Sequence, residues 1–232
     1  MPFALAVVTG TAELSECSLL SQEECAALQQ GFTRSDWRED LILKLREEVR
    51  ARDLAAISPG IGGEMRSGSL VLTCMGRDFT IAPDGEVSSP GRITPWIKIL
   101  LLHYVRTAGT GELAGRWVSY GELRGGLVKI TSFQRDCEEP LRELLEQEFE
   151  KAAAALGRLG AEMRPGFPSQ HAWQLALLPK VPAVILYWPP EGEFGSRIKI
   201  LFDASADRFL DAECLIFLGE GLVKNVEMLL SH

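Results

Sequence analysis

The chain has 232 residues, a length that suits one large domain or one domain with a small appendage. Apolar residues make up 46% of it and charged residues 24%, which are the proportions of a globular protein with a full core. Its 24 basic and 32 acidic residues give a net charge of -8, which argues against nucleic acid or an anionic membrane surface as a partner.

The start of the chain and its cysteines indicate a cytoplasmic protein. The first apolar run is too short for a signal peptide, and no later run is as long as a membrane span. The cysteines are Cys17, Cys25, Cys74, Cys137 and Cys214. Their number is odd and no two form a CxxC pair, so the sequence shows neither a disulfide framework nor a self-contained iron–sulfur motif. We expect reduced thiols, with Cys74 and Cys214 buried as small apolar side chains.

The chain is predicted to divide into an N-terminal segment, residues 1–34, and a single α+β domain, residues 35–232. Whether the segment is part of that domain is left open. The first clear helix begins near Trp37, where apolar residues recur at helical spacing. Pro59 predicts that this helix ends near Ile57.

A hairpin and a central helix are predicted next. Alternating residues from Ser69 to Ala82 indicate two short strands joined by a tight turn. The helix that follows has Thr94 as N-cap and Pro95 at its first position, and it is apolar around most of its circumference. His103 lies on it. A buried histidine there is either an axial ligand of a metal or tetrapyrrole or, more commonly, bonded to a carbonyl group.

A short strand and one helical turn are predicted around Trp117. Ser119 and Glu122 have capping-box spacing, which explains the turn without any ligand. Arg116, Trp117 and Tyr120 nevertheless combine one cation with two aromatic rings. We keep these three as candidates for the wall of a binding site.

A long helical segment follows, from about Ser132 to Leu159. Pro140 lies inside it and predicts a kink near Glu138. Glutamates that include Glu138 alternate with basic and amide residues, which indicates a solvated face rather than a metal site. The last helix of the chain is predicted to begin after Asp211 as its N-cap.

Three consecutive strands form the most distinctive stretch of the sequence. They are predicted over residues 173–178, 183–188 and 197–202. Their connections are too short for a crossover helix, so the strands form an antiparallel meander. Polar residues gather at the strand ends, namely Glu191, Glu193, Arg197 and Asp203.

These elements predict an α+β fold, in which an antiparallel sheet built from the central hairpin and the C-terminal meander packs against several helices. Aromatic and charged residues in the loops beside this scaffold suggest a ligand pocket. Its candidate lining residues are His103, Arg116, Trp117, Tyr120, Trp188, Glu193 and Phe194.

Catalytic signatures are missing from the sequence. It has no nucleophile elbow, zinc-binding HExxH helix, EF-hand loop, dinucleotide fingerprint or kinase motif. Glu193 and Asp203 are candidates for an acid–base pair, but the strand between them spans roughly 20 Å. We therefore expect them at opposite ends of the sheet and predict no catalytic residue.

Five ordered pieces of the sequence carry a family resemblance. They are LTCMGRDFTIAPDGEV, PWIKILLLHYVRTAG, LAGRWVSYGELRGG, LPKVPAVILYWPPEGEF and IKILFDASADRFLDAE. Together, over roughly residues 35–230, they resemble the family catalogued as domain of unknown function 3786. The resemblance implies a setting in strict anaerobes, where some members carry an added cysteine-rich segment and are described as iron–sulfur proteins. Cys17 and Cys25 are too far apart for that segment, and the family supplies no catalytic residues.

Sequence and resemblance together suggest a non-catalytic cytosolic binding or accessory protein in anaerobic metallocofactor metabolism. Its cofactor would be iron–sulfur, a corrinoid or another tetrapyrrole, and its partner a protein or that cofactor. One alternative is an enzyme of unknown reaction that uses Glu193, Asp203 or Cys74. Another is a protein–protein interaction subunit without a small ligand, marked by an exposed apolar patch along the final helix. The sequence does not indicate an oligomeric state.

Overall fold

The computed structural model describes residues 20, 21, 25, 37–91 and 93–231. Contacts divide the chain into two compact units, residues 1–41 and residues 42–232. The N-terminal segment predicted over residues 1–34 lies largely outside the described residues. The elements that form the candidate site all lie in the second unit.

The described helices are separated by short turns and strands. They are α1 (Trp37–Arg50), α2 (Leu54–Ile57), α3 (Pro95–Thr107), α4 (Gly126–Phe133), α5 (Glu139–Gln147), α6 (Phe149–Arg158) and α7 (Ala212–Leu230). A π-helical turn, Gln134–Glu138, joins α4 to α5, and 3-10 turns lie at Tyr120–Glu122 and Ala206–Arg208.

The described strands form two antiparallel sheets. They are β1 (Glu64–Arg66), β2 (Ser69–Cys74), β3 (Arg77–Ile81), β4 (Val87–Ser88), β5 (Trp117–Ser119), β6 (Glu162–Met163), β7 (His171–Leu178), β8 (Val181–Trp188) and β9 (Arg197–Asp203). The first sheet has the order β1-β2-β3-β4 and the second the order β5-β9-β8-β7-β6. Helices combined with antiparallel sheets confirm the predicted α+β class.

The predicted hairpin and the predicted meander lie in different sheets. The β2–β3 hairpin is completed by the short strands β1 and β4, while the β7–β8–β9 meander is completed by β5 and β6. The Met75 amide at the end of β2 donates to the Leu177 carbonyl of β7 at 3.1 Å. This bond holds the hairpin against the larger sheet without extending it.

Helix α3 is central, as its apolar circumference predicts. The Thr94 side chain accepts from the Ile97 amide at 3.4 Å, which confirms the predicted cap ahead of Pro95. Tyr104 is fully buried. Its hydroxyl donates to the Ile61 carbonyl at 2.7 Å and accepts from the Lys180 amide at 3.1 Å. One side chain therefore ties α3 to two loops.

The first helical region is two helices rather than the single one predicted. Helix α1 ends at Arg50, and Asp53 caps α2 by accepting from the Ala56 amide at 3.1 Å. An aspartate competes for backbone N–H groups and so favours the start of a helix over its middle. The predicted end near Ile57 is confirmed.

Candidate functional site

His103 lies on α3 and is half-buried. Burial lowers the pKa of its imidazole and the nearby Arg106 lowers it further, while Asp211 and Glu48 oppose them. The surroundings of His103 thus include three charged side chains, and the residue does not line the apolar cleft described below.

Tyr120 belongs to the core. It is fully buried, and its ring stacks on that of Phe133 with the centroids 4.4 Å apart. Its hydroxyl donates to the Ala212 carbonyl at 2.9 Å. A tyrosine that is packed and hydrogen-bonded in this way holds the 3-10 turn after β5 against the start of α7 and leaves no surface for a ligand.

Trp117 and Trp188 lie together on one face of the second sheet. They pack against a buried cluster formed by Ala172, Val184 and Leu186, joined by Phe167 and Leu201. The Trp188 indole donates to the Pro168 carbonyl at 2.8 Å, and the Arg197 guanidinium lies 5.4 Å from the centroid of its ring. The two tryptophans thus lie in one region, and their packing makes it a small satellite core under a loop.

Arg116, Glu193 and Phe194 are exposed. The Arg116 carbonyl accepts from the Ala204 amide at 2.8 Å, and its side chain lies at the surface. Glu191 and Phe194 exchange two backbone hydrogen bonds of 3.0 Å across a tight turn, which leaves Phe194 80% exposed. The seven predicted residues are therefore divided between the core, a satellite core and separate surfaces, and they do not line one pocket.

Glu193 and Asp203 lie at opposite ends of β9, as the sequence predicts. Asp203 ends the strand and is 2% exposed, whereas Glu193 precedes the strand in an exposed turn. The Asp203 carboxylate accepts from the amides of Ala114, Gly115 and Ser205 at 2.7 to 2.9 Å, and from the Ser205 hydroxyl at 2.5 Å. Through the bonds from Ala114 and Gly115, Asp203 fixes the loop that leads into β5 to the end of β9.

A cleft with a volume of about 360 Å³ opens between the β2–β3 hairpin, the start of α3 and the second half of α7. We call it the hairpin–helix cleft. Its hairpin wall is formed by Cys74, Met75, Arg77 and Phe79. The volume lies within the roughly 300 to 1,000 Å³ that small-molecule sites occupy.

The helical walls of the hairpin–helix cleft are largely apolar. They include Trp96, Ile97 and Leu100 from α3, and Phe217, Gly221 and Met228 from α7. The Trp96 and Phe217 rings are in contact, with centroids 5.2 Å apart and planes tilted by 40°. Trp96 and Met228 remain exposed by 36% and 53%, so the cleft opens to solvent.

A tight turn sets Met75 at the edge of the cleft. Met75 and Gly76 both have positive φ, 48° and 74°, which a glycine adopts without strain. The Asn225 side-chain amide donates to the Gly221 carbonyl at 2.7 Å and lies 3.7 Å from the Met75 sulfur. A Cβ atom on Gly221 would lie 3.6 Å from the Met75 methyl group, so a larger residue there would meet the hairpin.

Among the residues that the structure describes, three charged side chains line the cleft. Arg77 donates to the Ser89 hydroxyl at 3.0 Å and to the Pro90 carbonyl at 2.6 Å, with its guanidinium 4.8 Å from the centroid of the Phe79 ring. Lys224 Nζ lies 3.9 Å from the Glu220 carboxylate. Burial raises the pKa of Glu220, an effect that Lys224 opposes.

The family model described as Domain of unknown function (DUF3786) matches residues 53–225. The chain belongs to this family. The DUF3786 match includes the β2–β3 hairpin, helix α3 and α7 as far as Asn225, and hence all of the cleft residues except Met228. Comparison with the curated proteins and with the solved structures found no significant match.

The described residues of this DUF3786 protein do not form a recognisable metal centre. Within residues 20, 21, 25, 37–91 and 93–231, no three or more His, Cys, Asp or Glu side chains form a group that could hold a metal ion. The described cysteines Cys25, Cys74, Cys137 and Cys214 are free. The described part of the chain therefore does not fit an iron–sulfur cluster. Nor does any helix in it combine the length and the apolar character needed to cross a membrane.

Three buried cysteines are expected to resist alkylation. Burial raises the pKa of Cys74 to about 12 and raises those of Cys137 and Cys214 as well. Because the thiolate is the reacting species, iodoacetamide at neutral pH should leave all three unmodified in the native protein and label them after denaturation. Peptide mass mapping measures both states. Rapid labelling of native Cys74 would instead support the enzyme alternative.

The sequence does not identify the cleft residues of the DUF3786 fold, because they come from distant segments of the chain. Met75 and Asn225, which are in contact, lie 150 residues apart. One signal was available: helix α3 is apolar around most of its circumference, and such a helix must be covered on more than one side. The sequence does not show that the elements packed against α3 leave it partly uncovered around Trp96.

Proposed function

We propose that the protein is a non-catalytic cytosolic binding or accessory protein, and that its ligand binds in the hairpin–helix cleft. The observation that supports this most directly is the composition of the cleft. Aromatic, aliphatic and methionine side chains form its walls, and a few polar groups join them. Apolar walls with a small number of polar groups are typical of ligand sites.

The residues of the enzyme alternative have other roles or lack suitable surroundings. The Asp203 carboxylate is occupied by backbone and hydroxyl donors, and Glu193 is exposed in a turn. Cys74 is held in its thiol form by burial, although it lines the cleft. A nucleophile or general base needs a poised pKa and room for a substrate, so these arrangements favour binding over catalysis.

The interaction-subunit alternative depended on an apolar patch along the final helix. Most apolar side chains of α7 are buried, including Leu215, Leu218, Leu222 and Val226. Met228, which is 53% exposed, lines the hairpin–helix cleft. The exposed apolar surface of α7 thus supports a ligand site as well as it supports a protein contact.

The anaerobic metallocofactor setting is part of the proposal and rests on the family resemblance. Among the described residues that line the cleft there is no histidine to ligate a corrinoid or other tetrapyrrole, and His103 does not line it. Cofactor binding through His103 therefore has no support from the cleft, and we derive no ligation step from it. The apolar walls of the cleft fit the organic part of such a ligand.

Filling the cleft is expected to weaken ligand binding strongly. The Gly221→Leu side chain would extend from α7 toward Met75 and take the space of a ligand. We expect the neutral fluorescent probe N-phenyl-naphthylamine to bind the wild type with enhanced emission, and Gly221→Leu to weaken its binding at least roughly tenfold. A fluorescence titration measures both affinities.

Gly157→Leu is the matched control for this variant. Gly157 also lies on a helix, α6, and a Cβ atom there would have no neighbour within 4 Å. Both variants gain the same helix propensity and the same apolar side chain. Equal loss of binding in the two variants, or no binding to the wild type, would contradict the proposed site.

A further inference from the structure

We infer that the ligand of the hairpin–helix cleft is an amphipathic molecule with an apolar body and one anionic group, such as a carboxylate. This inference rests on the proposed function and adds the chemical class of the ligand. Two observations support this inference. They are the charged groups that line the cleft and the position of its aromatic and methionine side chains.

The cleft has an excess of positive charge in an acidic protein. Of the described charged residues that line it, Arg77 and Lys224 are cationic and Glu220 is anionic, whereas the whole chain carries a net charge of -8. A local charge opposite in sign to that of the whole protein indicates complementarity to an anion.

Arg77 is held in position before any ligand binds. Its Nε donates to Ser89 and one terminal nitrogen donates to Pro90, while its guanidinium covers the Phe79 ring. Fixing a long side chain in advance removes part of the entropy cost of binding. An anion that approaches the hairpin wall therefore meets a positive charge that is already oriented.

Lys224 can move to a ligand at little cost. Its side chain is 67% exposed, and its ion pair with Glu220 is long, at 3.9 Å. Exposed i,i+4 ion pairs contribute little to stability, so exchanging Glu220 for a ligand carboxylate loses little. Lys224 thus offers a second and adaptable contact for the same anion.

The remaining surface of the cleft fits an apolar body. The Trp96 and Phe217 rings supply flat walls, and the unbranched side chains of Met75 and Met228 can adjust to the shape of a ligand. The amide of Asn225 already donates to the Gly221 carbonyl. The anionic group therefore belongs beside Arg77 and Lys224 and the body between the aromatic and methionine side chains.

The test compares decanoate with decanol, which share the alkyl chain and differ in charge. Decanoate is titrated below its micelle concentration, and decanol below its solubility limit, into protein labelled with methyl-¹³C methionine. Met75 and Met228 line the cleft, while Met65 on β1 and Met163 on β6 do not and serve as internal controls. We expect both ligands to shift the Met75 and Met228 signals, with decanoate binding about tenfold more tightly.

Charge-neutral variants separate this inference from the proposed function. Lys224→Gln should weaken decanoate binding several-fold and leave decanol binding unchanged. Lys151→Gln is the matched control, because Lys151 is also a helical lysine that pairs with a glutamate and is 69% exposed, but it does not line the cleft. Equal affinity for the two ligands would overturn the anionic class and keep the proposed site. Absence of shifts at Met75 and Met228 with either ligand would overturn both.

Discussion

Asp203→Ala is expected to lower the free energy of unfolding by about 4 kcal/mol. The side chain is 2% exposed and accepts hydrogen bonds from Ala114, Gly115 and Ser205. Alanine would leave the amide and hydroxyl of the buried Ser205, and the amides of the exposed residues Ala114 and Gly115, without this acceptor, and each unsatisfied buried group costs roughly 1 to 3 kcal/mol. Urea denaturation followed by circular dichroism measures the loss.

Asp203→Asn is the informative companion variant. Its carbonyl oxygen can replace Oδ1, which accepts from Ala114 and Ser205, while its NH₂ group would face the Gly115 amide in place of Oδ2. We expect a loss of about half that of the alanine variant. Losses below about 1 kcal/mol in both variants would show that the loop does not depend on this carboxylate.

The contribution of Asp203 is also expected to depend on pH. Burial by itself raises the pKa of this carboxyl, but the bonds from Ser205, Ala114 and Gly115 outweigh burial and hold the pKa below its ordinary value. A group whose pKa is lower in the folded state stabilises the protein above its unfolded pKa, about 3.9, and loses that effect as the pH falls through the folded pKa. The difference in stability between wild type and Asp203→Ala should therefore shrink only in that acidic range.

Local signals in the sequence predicted the boundaries of several elements. Thr94 and Asp211 cap α3 and α7 through the bonds that their positions suggest. The Glu122 carboxylate accepts from the Ser119 amide and hydroxyl at 2.8 and 2.7 Å, which confirms the predicted capping pattern. These features involve neighbours three residues apart, so the sequence alone contains both partners.

Features that depend on distant partners were not predictable in the same way. Tyr120 and Trp117 are three residues apart, yet Tyr120 is enclosed against Phe133 and Trp117 only partly covered. Which of them would be enclosed depends on the placement of α4 and of the loop that carries Phe167. The cleft depends likewise on how the hairpin meets α7, and the hairpin forms its own sheet instead of joining the meander.

Glu138 is the clearest case in which the local pattern was misleading. It belongs to an acidic run predicted to be a solvated face, but it is only 5% exposed. The predicted kink ahead of Pro140 takes the form of a π-helical turn that ends at Glu138. An inserted residue of this kind rotates the side chains that follow it, and sequence periodicity does not reveal the rotation.

Glu138→Ala is therefore expected to lower the free energy of unfolding by about 3 kcal/mol. Its carboxylate accepts from the buried Ile200 amide at 3.0 Å and from Lys199 Nζ at 3.2 Å. Strand β5 pairs with β9 only at residues 201–203, so Glu138 takes the place of a neighbouring strand for the Ile200 N–H.

Glu138→Gln keeps an oxygen acceptor and should lose only about 1 kcal/mol. Amide hydrogen exchange at Ile200, measured by NMR, should accelerate in the alanine variant and stay slow in the glutamine variant. Equal destabilisation by the two substitutions would assign the effect to the ion pair with Lys199 instead.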